Sequence, residues 1–177
     1  MITFQKIRWK NFLSTGDHWS EINFLGNTTN LVVGTNGSGK STMLDALTFS
    51  LFNKPFRKVN KSQLINATNE KDCVVEVEFN VNNKNYLVRR SIKPNKFDIE
   101  VDGNLMHKES DDRINQKILE ENILKVNYKS FTQIVILGSS SFVPFMQLST
   151  SNRRDVIEDL LDIRIFSAMN ALIKEKI

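Results

Sequence analysis

The alternation of hydrophobic and polar residues predicts strands along much of the chain. Alternation of period two marks residues 2–10, residues 19–26 and residues 73–106, and the last stretch should form an antiparallel meander. Its hairpin turns are predicted at Asn82-Asn83 and at Asp102-Gly103, because these residues tolerate the positive φ of a tight turn. The glutamates of the meander alternate with valines, so we expect them to face solvent.

Two other stretches are hydrophobic without alternation. Residues 30–34, NLVVG, and residues 134–138, IVILG, each hold a continuous apolar run closed by glycine. Such a run predicts a strand buried on both faces, as in a parallel sheet. Gln133 opens the second run, where a polar side chain at a strand start can reach a bound ligand.

Apolar residues at spacings of three and four predict helices in three places. The first, STMLDALTFSLF at residues 41–52, should stop before Pro55. The second covers residues 109–124, with an apolar stripe of Ile114, Ile118 and Leu119. The third begins at Ser149, and because no glycine, proline or other stop signal follows, we expect it to be a helix cut off rather than finished.

Composition narrows the class of protein. The chain has 177 residues, 40% hydrophobic and 25% charged, which is ordinary for a globular domain with a core. It has no apolar run long enough for a membrane span and no signal peptide, and its single cysteine, Cys73, excludes an intrachain disulfide. A cytoplasmic location fits these features. The net charge of +4 permits contact with a polyanion without establishing it.

One stretch carries most of the chemistry. Residues 34–41, GTNGSGKS, match the pattern G-x-x-x-x-G-K-S/T between a predicted strand and a predicted helix. Its glycines let backbone N–H groups point at phosphate oxygens, Lys40 supplies a cation to the β- and γ-phosphates, and Ser41 supplies a hydroxyl to Mg²⁺. The helix N-terminus directs partial positive charge at the same anion. The sequence therefore predicts a nucleotide-binding P-loop.

Hydrolysis needs groups that the sequence does not supply. A carboxylate must complete the Mg²⁺ shell, and another group must orient the attacking water. The candidate stretches VVEVEF and FDIEVDG alternate as exposed strands, and LLDI lies in the predicted third helix. We therefore expect the catalytic carboxylate to lie outside these 177 residues. A stand-alone P-loop ATPase or kinase is the competing interpretation, and it predicts turnover by this chain alone.

Four motifs in order carry a family resemblance: KNFLST, GTNGSGKSTMLDALTFSLF, FTQIVILGSSSF and NRRDVIEDLLDI. Together they resemble the N-terminal half of the SbcC/Rad-fifty family, SMC-like DNA-repair ATPases of the ABC type, and most of all its bacteriophage members. The resemblance implies an α/β P-loop NTPase fold. Residues 1–148 would be the N-terminal lobe of an ABC-type ATPase head, with a mixed sheet around the P-loop helix plus the antiparallel meander. Residues 149–177 would be a helical segment leading into a coiled coil.

The resemblance also implies a split active site with ATP and Mg²⁺ as cofactors. In that family the C-terminal lobe brings the signature motif, the acidic strand and a switch histidine, and two heads sandwich two ATP molecules. The implied partners are the protein's own C-terminal lobe, a second head, an SbcD/Mre-eleven-like nuclease subunit and double-stranded DNA, with no membrane. For a phage-encoded protein the location would be the host cytoplasm. A structural SMC-type DNA tether without nuclease is the alternative function.

Residue roles follow from the motifs that match. The phosphate-binding residues would be Gly34, Asn36, Gly37, Ser38, Gly39, Lys40, Ser41 and Thr42. Gln133 matches the family's glutamine, which completes the Mg²⁺ shell with Ser41 and senses the γ-phosphate, so the catalytic pair would be Lys40 and Gln133. The segment Asn66, Ala67 and Thr68 falls where the family has its adenine-side loop. Many members have arginine where this chain has Leu13, so that arginine's nucleotide contact is not carried over.

Basic residues form three clusters that are candidates for DNA contact, with a solvated face as the alternative interpretation. They are Lys54, Arg57, Lys58 and Lys61; Arg89, Arg90, Lys93 and Lys96; and Arg153 and Arg154.

Overall fold

The computed structural model describes residues 2–27, 29–106, 111–136, 145–161 and 163–174. The chain divides into two compact units, Met1–Leu119 and Glu120–Ile177. No helix among the described residues is long and apolar enough to cross a membrane.

The first unit is built on one antiparallel sheet. Its strands are β1 (Ile2–Lys10), β2 (Ser20–Asn23), β3 (Cys73–Val81), β4 (Lys84–Ile92), β5 (Lys96–Val101) and β6 (Asn104–Leu105), in the order β2-β1-β3-β4-β5-β6. The predicted meander is confirmed, and so are both hairpins. Asn82, Asn83, Asp102 and Gly103 all have positive φ, between 48° and 81°. The predicted strand at residues 19–26 forms over its central part as β2.

Helix α1 (Thr42–Phe52) packs on one face of this sheet, against β1, β3 and β4. The face is apolar because alternate strand residues point at the helix, including Ile7, Val75, Val77 and Val88, all 0% exposed. Asn53 ends the helix in a left-handed conformation, two residues before Pro55, as the sequence predicts. A 3₁₀ helix (Lys61–Leu64) follows it.

The opposite face of the sheet differs from expectation at Glu76. This side chain does not face solvent: it is 3% exposed, because Arg8 and Arg89 flank it on the neighbouring strands. The guanidinium Nε atoms donate to its carboxylate at 2.5 Å and 2.6 Å. Charge pairing across three strands therefore buries a residue that the alternating pattern placed in water.

The predicted strand at residues 30–34 is wrong. These residues have no regular structure, and Leu31, Val32 and Val33 are 87%, 44% and 80% exposed. A buried strand needs a hydrogen-bonded neighbour, and none of the six strands in the described sheet pairs with this stretch.

The last part of the first unit is helical, and so is the second unit. They are α2 (Asp112–Lys117), a π-helix (Ile118–Leu124), α3 (Tyr128–Ile134), a 3₁₀ helix (Phe145–Gln147), α4 (Thr150–Leu160) and α5 (Arg164–Lys174). The helix predicted over residues 109–124 therefore forms in its described part, although Ile114 of the expected apolar stripe is 46% exposed. Leu119 is buried as expected.

The second predicted buried strand is also wrong, since Ile134 ends helix α3. Asn127 caps this helix by accepting a hydrogen bond from the Ser130 N–H at 2.9 Å, and this local cap outweighs the β-branched residues that favour a strand. Ile136 is buried, and Leu137 lies outside the described residues. Gln133 therefore lies in the last turn of a helix instead of opening a strand.

The helical segment from Ser149 is divided in two. The Ile163 N–H bonds to the carbonyl of Glu158, five residues back, so α4 ends in a widened turn before α5 begins. Met169, Leu172 and Ile173 on α5 are 51–61% exposed.

Candidate functional site: a phosphate-binding loop

The glycine-rich loop adopts a conformation that depends on its glycines. Gly37 and Gly39 have φ of +85° and +91°, a region that side chains with a Cβ avoid. A Cβ on Gly34 would lie 2.5 Å from the Ser38 Oγ, so the two arms of the loop approach each other closely. The Ser38 N–H donates to the Thr35 carbonyl at 3.2 Å.

Lys40 bridges the two ends of the loop. Its ammonium group donates to the carbonyl oxygens of Gly34 and Thr35, at 2.6 Å and 2.7 Å. An ammonium group has three N–H donors, so one remains for an anion held by the loop. The same cation therefore fixes the loop's shape and is available to phosphate.

The backbone around Lys40 presents unused donors. In the part of the chain that the structure describes, the N–H groups of Gly37, Gly39, Lys40 and Ser41 have no acceptor. They precede α1, whose N-terminus carries a partial positive charge. Ser41 is the N-cap residue, yet its side chain makes no capping hydrogen bond, so its hydroxyl is available as a metal ligand. This arrangement is suited to an anion and its cation.

The loop opens onto a cavity of about 490 Å³, within the range of small-molecule sites. Of the residues that the sequence predicts as ligands, the lining includes Asn36, Gly37, Gly39, Lys40, Ser41, Thr42 and Ala67. Gly34, Ser38, Asn66 and Thr68 are not among the lining residues. The sequence interpretation did not assign five lining residues to the cavity: Leu13, Ser14, Arg57, Gln63 and Ile65.

Asn66 joins two segments that line this cavity, one at Leu13 and one at Ala67. It is 8% exposed, and its amide donates to the carbonyls of Leu13 and Thr15, both at 3.1 Å. Its Oδ1 accepts from the N–H groups of Thr68 and Asn69, both at 3.0 Å. The hydrogen-bonding capacity of the side chain is thus used within the chain, and Asn66 positions the wall instead of facing the cavity.

Arg57 enters the cavity from the segment that follows α1. It is bound to Asp45, which is 0% exposed in the first turn of α1. The carboxylate accepts from the Arg57 N–H at 2.8 Å and from Nε at 2.6 Å. The signal in the sequence was the basic cluster after the P-loop helix, together with an acidic residue in that helix.

Gln133 belongs to the second compact unit. Its Oε1 is buried and has no hydrogen-bond partner among the residues that the structure describes. The described residues contain no cluster of three or more His, Cys, Asp or Glu side chains that could hold a metal. A magnesium ion is compatible with this, because it is usually bound by one or two protein ligands together with substrate phosphates and water.

Two arginines of the second basic cluster, Arg89 and Arg90, make their contacts within the fold. Arg90 is 5% exposed, stacks 3.7 Å from the centre of the Phe97 ring and donates to the carbonyl of Ser50. Arg89 is bound to Glu76, which raises the pKa of its guanidinium above the ordinary value through their hydrogen bond. These arginines therefore stabilise the sheet, and the solvated-face alternative does not describe them.

Comparison with known proteins gives the family. A family model described as an AAA domain matches residues 6–176. The chain belongs to this AAA domain family. A relative named exonuclease subunit 2, from Escherichia phage RB69, is 41% identical to this AAA domain over 97% of the chain, which spans 30% of that relative. The DNA double-strand break repair Rad50 ATPase of Thermoplasma volcanium is 27% identical over 98% of the chain, which spans 19% of that relative.

One solved structure supports the fold of this AAA domain. It comes from a study of ATP-driven dimerization and DNA-stimulated activation of SMC ATPases, and it matches 89% of the chain and 99% of its own, with a TM-score of 0.60 and 24% identity. The predicted α/β fold class and the predicted resemblance to the SbcC/Rad-fifty family are confirmed.

Proposed function

We propose that the chain is the nucleotide-binding half of an SMC-like ATPase that gates a partner nuclease during repair or recombination of double-strand breaks. The observation that carries this proposal is the set of unused N–H donors before α1, which open together with Lys40 onto a cavity large enough for a nucleotide. The chain spans less than a third of its phage relatives, so the activity of the whole protein is part of the proposal.

Each residue of the loop has a role in this proposal. The N–H groups of Gly37, Gly39, Lys40 and Ser41 bind phosphate oxygens, and the free donor of Lys40 binds the β- and γ-phosphates. Bound Mg²⁺ would neutralise charge on these phosphates, with the Ser41 hydroxyl and the Gln133 Oε1 as its protein ligands. Ala67 contributes to the cavity wall on the base side, and Asn66 positions that wall for Ala67 and Thr68.

Hydrolysis in this proposal needs groups that this chain does not supply. No carboxylate lines the cavity among the described residues, so the water-activating group would come from a C-terminal lobe and from a second head. We assign residues 1–148 to the N-terminal lobe and residues 149–177 to the helical segment that enters a coiled coil. Residues 31–33 and several residues of α5 are apolar and exposed. Their exposure supports the proposal that other segments of the protein cover them.

The nuclease partner is favoured by the names of the phage relatives, which are exonuclease subunits. An SMC-type tether without nuclease is the second candidate, since SMC heads share the fold. Co-purification from the natural host separates the two: a metallophosphoesterase-like nuclease is expected, and a kleisin-like bridging protein in its place would contradict the nuclease proposal. Binding to double-stranded DNA that weakens as salt rises is expected of the complex.

Binding and turnover, measured on the same purified chain, test the split site. We expect the chain to bind Mg·ATP and to hydrolyse none above background. Steady-state hydrolysis by the chain alone would contradict the split site and favour the stand-alone P-loop ATPase or kinase.

A further inference from the structure

We propose that Arg90 and Gln116 link the P-loop helix α1 to helix α2, so that nucleotide bound at one end of α1 changes the stability of α2. Both are positioning residues, and neither of them lines the cavity beside the P-loop. The proposal rests on the nucleotide-binding function argued above and adds a conformational response to it.

Both side chains bind backbone carbonyls in the last turn of α1. The Arg90 Nε donates to the Ser50 carbonyl at 3.1 Å, and the Gln116 amide donates to the Leu51 carbonyl at 2.8 Å. Carbonyls at the end of a helix have no partner within the helix and carry its partial negative charge. In α1, which the structure describes in full, the last turn contains no basic residue, so Arg90 on β4 supplies the cation there.

The two side chains are also bound to each other. The Arg90 Nη2 donates to the Gln116 Oε1 at 2.6 Å, so one amide accepts from β4 and donates to α1. The guanidinium is buried and stacks on the ring of Phe97 on β5, which fixes its plane. Because Gln116 lies on α2, these contacts join α1, the sheet and α2.

Helix α1 can transmit a change from the phosphate loop to these contacts. It is one continuous helix of 11 residues, and its buried residues include every position from Asp45 to Phe52. Several N–H groups of the loop before it have no acceptor within the described residues, so phosphate would bind at that end while Arg90 and Gln116 hold the other. A closely packed interior transmits small displacements because it has few voids into which side chains can relax.

The segment that follows Gln116 is suited to respond to such a displacement. Gln116 lies two positions before the π-helix Ile118–Leu124, which continues directly from α2. π-helical turns are rare and are frequent at functional sites. We therefore expect the local stability of this segment to depend on the position of Gln116.

Hydrogen exchange of the backbone amides of α2, measured on the purified chain with and without saturating Mg·ATP, tests the link. Coupling between sites typically amounts to a factor of five or more, so ATP should slow exchange in α2 of the wild-type chain by about fivefold. Gln116→Leu removes both hydrogen bonds of this half-buried amide. Gln116→Glu keeps an acceptor for Arg90 but has no N–H for the Leu51 carbonyl. In both variants we expect exchange in α2 to be nearly independent of ATP.

Lys117→Leu is the matched control, since Lys117 is the exposed neighbour of Gln116 on α2, and its α2 should respond to ATP as in the wild type. A link that is only structural would lower the Tm of the Gln116 variants and leave the response of α2 to ATP unchanged. That result, or a wild-type chain that binds ATP without any change of exchange in α2, would overturn the proposal. If the wild-type chain binds no ATP, or if Lys40→Met binds it equally well, the failure lies in the proposed function instead.

Discussion

Replacing Glu76 by glutamine should destabilise the sheet far more than a surface charge change. Glu76 is 3% exposed on the central strand β3, and its carboxylate accepts from Arg8 on β1 and from Arg89 on β4. Glutamine has nearly the same shape, so the substitution removes the charge and one acceptor oxygen while leaving the packing intact. Both arginines would then face a neutral amide that can accept at only one oxygen.

The exposure of the partners sets the magnitude. Removing one partner of a fully buried ion pair costs about 3–5 kcal/mol, whereas an exposed pair contributes about 0–1 kcal/mol. The Arg8 and Arg89 side chains are 32% and 38% exposed, so water can partly solvate them after the change. We therefore expect a loss of about 2 kcal/mol, which corresponds to a fall in Tm of about 4–8 °C for a chain of this size.

Glu100→Gln is the matched control for this experiment. Glu100 also faces Arg89, at 3.7 Å, but its side chain is 28% exposed and the contact is long. Chemical denaturation of both variants should give a loss below about 0.5 kcal/mol for Glu100→Gln. Because the Glu76 carboxylate is buried, salt should screen it only weakly, so the loss for Glu76→Gln should persist in 1 M NaCl. Equal effects of the two substitutions, or a Glu76→Gln loss that disappears in high salt, would refute the reasoning.

Two further predictions concern the loop and the core. Gly39→Ala places a Cβ where φ is +91°, which costs roughly 1–2 kcal/mol of backbone strain, so ATP affinity measured by titration should fall about tenfold. The control is Gly16→Ala, which has nothing within 4 Å of its new Cβ and should bind ATP as wild type does. Equal affinities of the two variants would contradict the conclusion that the loop requires the positive φ of Gly39. Burial raises the pKa of the Cys73 thiol from its ordinary value of 9.0 to about 12. A thiol-specific disulfide reagent at pH 8 should therefore leave the native chain unmodified and label one thiol in guanidinium; rapid native labelling would contradict the burial. The stability that this thiol contributes is complete below pH 9, and it is lost as pH rises towards 12, because the unfolded thiol releases its proton first.

Local sequence signals were sufficient to predict the two hairpins and helix α1. The hairpins at Asn82-Asn83 and Asp102-Gly103 formed because those residues accept positive φ without help from the rest of the fold. Helix α1 formed as predicted because its apolar residues recur at helical spacing and Asn53 ends it before Pro55.

Continuous apolar runs misled the sequence interpretation because they do not specify a partner. Residues 30–34 would form a strand only beside another strand, and the described sheet offers them none. Residues 134–136 have strand-forming side chains, yet the Asn127 cap had already started a helix. Strand pairing and helix capping decide which secondary structure such a stretch adopts. The pattern of apolar residues alone indicates neither of them.

The P-loop of the candidate site could be predicted from the sequence, whereas the residues that surround it could not. The P-loop could be predicted because each of its residues has a fixed chemical role within one segment. Arg57 is bound to Asp45, which lies 12 positions earlier in the chain. Asn66 is bound to Leu13 and Thr15, which lie 53 and 51 positions earlier. Such contacts depend on the folded arrangement, so spacing along the sequence could not identify them.

The affinity of the purified chain for Mg·ATP, compared between wild type, Lys40→Met and Lys58→Met, tests the central claim most directly. Lys40→Met removes the cation that bridges Gly34 and Thr35 and offers its third donor to phosphate. Charge-assisted hydrogen bonds contribute about 1.5–3 kcal/mol, so we expect affinity to fall by about tenfold to more than a hundredfold. Lys58→Met, which makes the same charge change outside the cavity, should bind as wild type does. Equal affinities in all three proteins would show that this loop is not the nucleotide site.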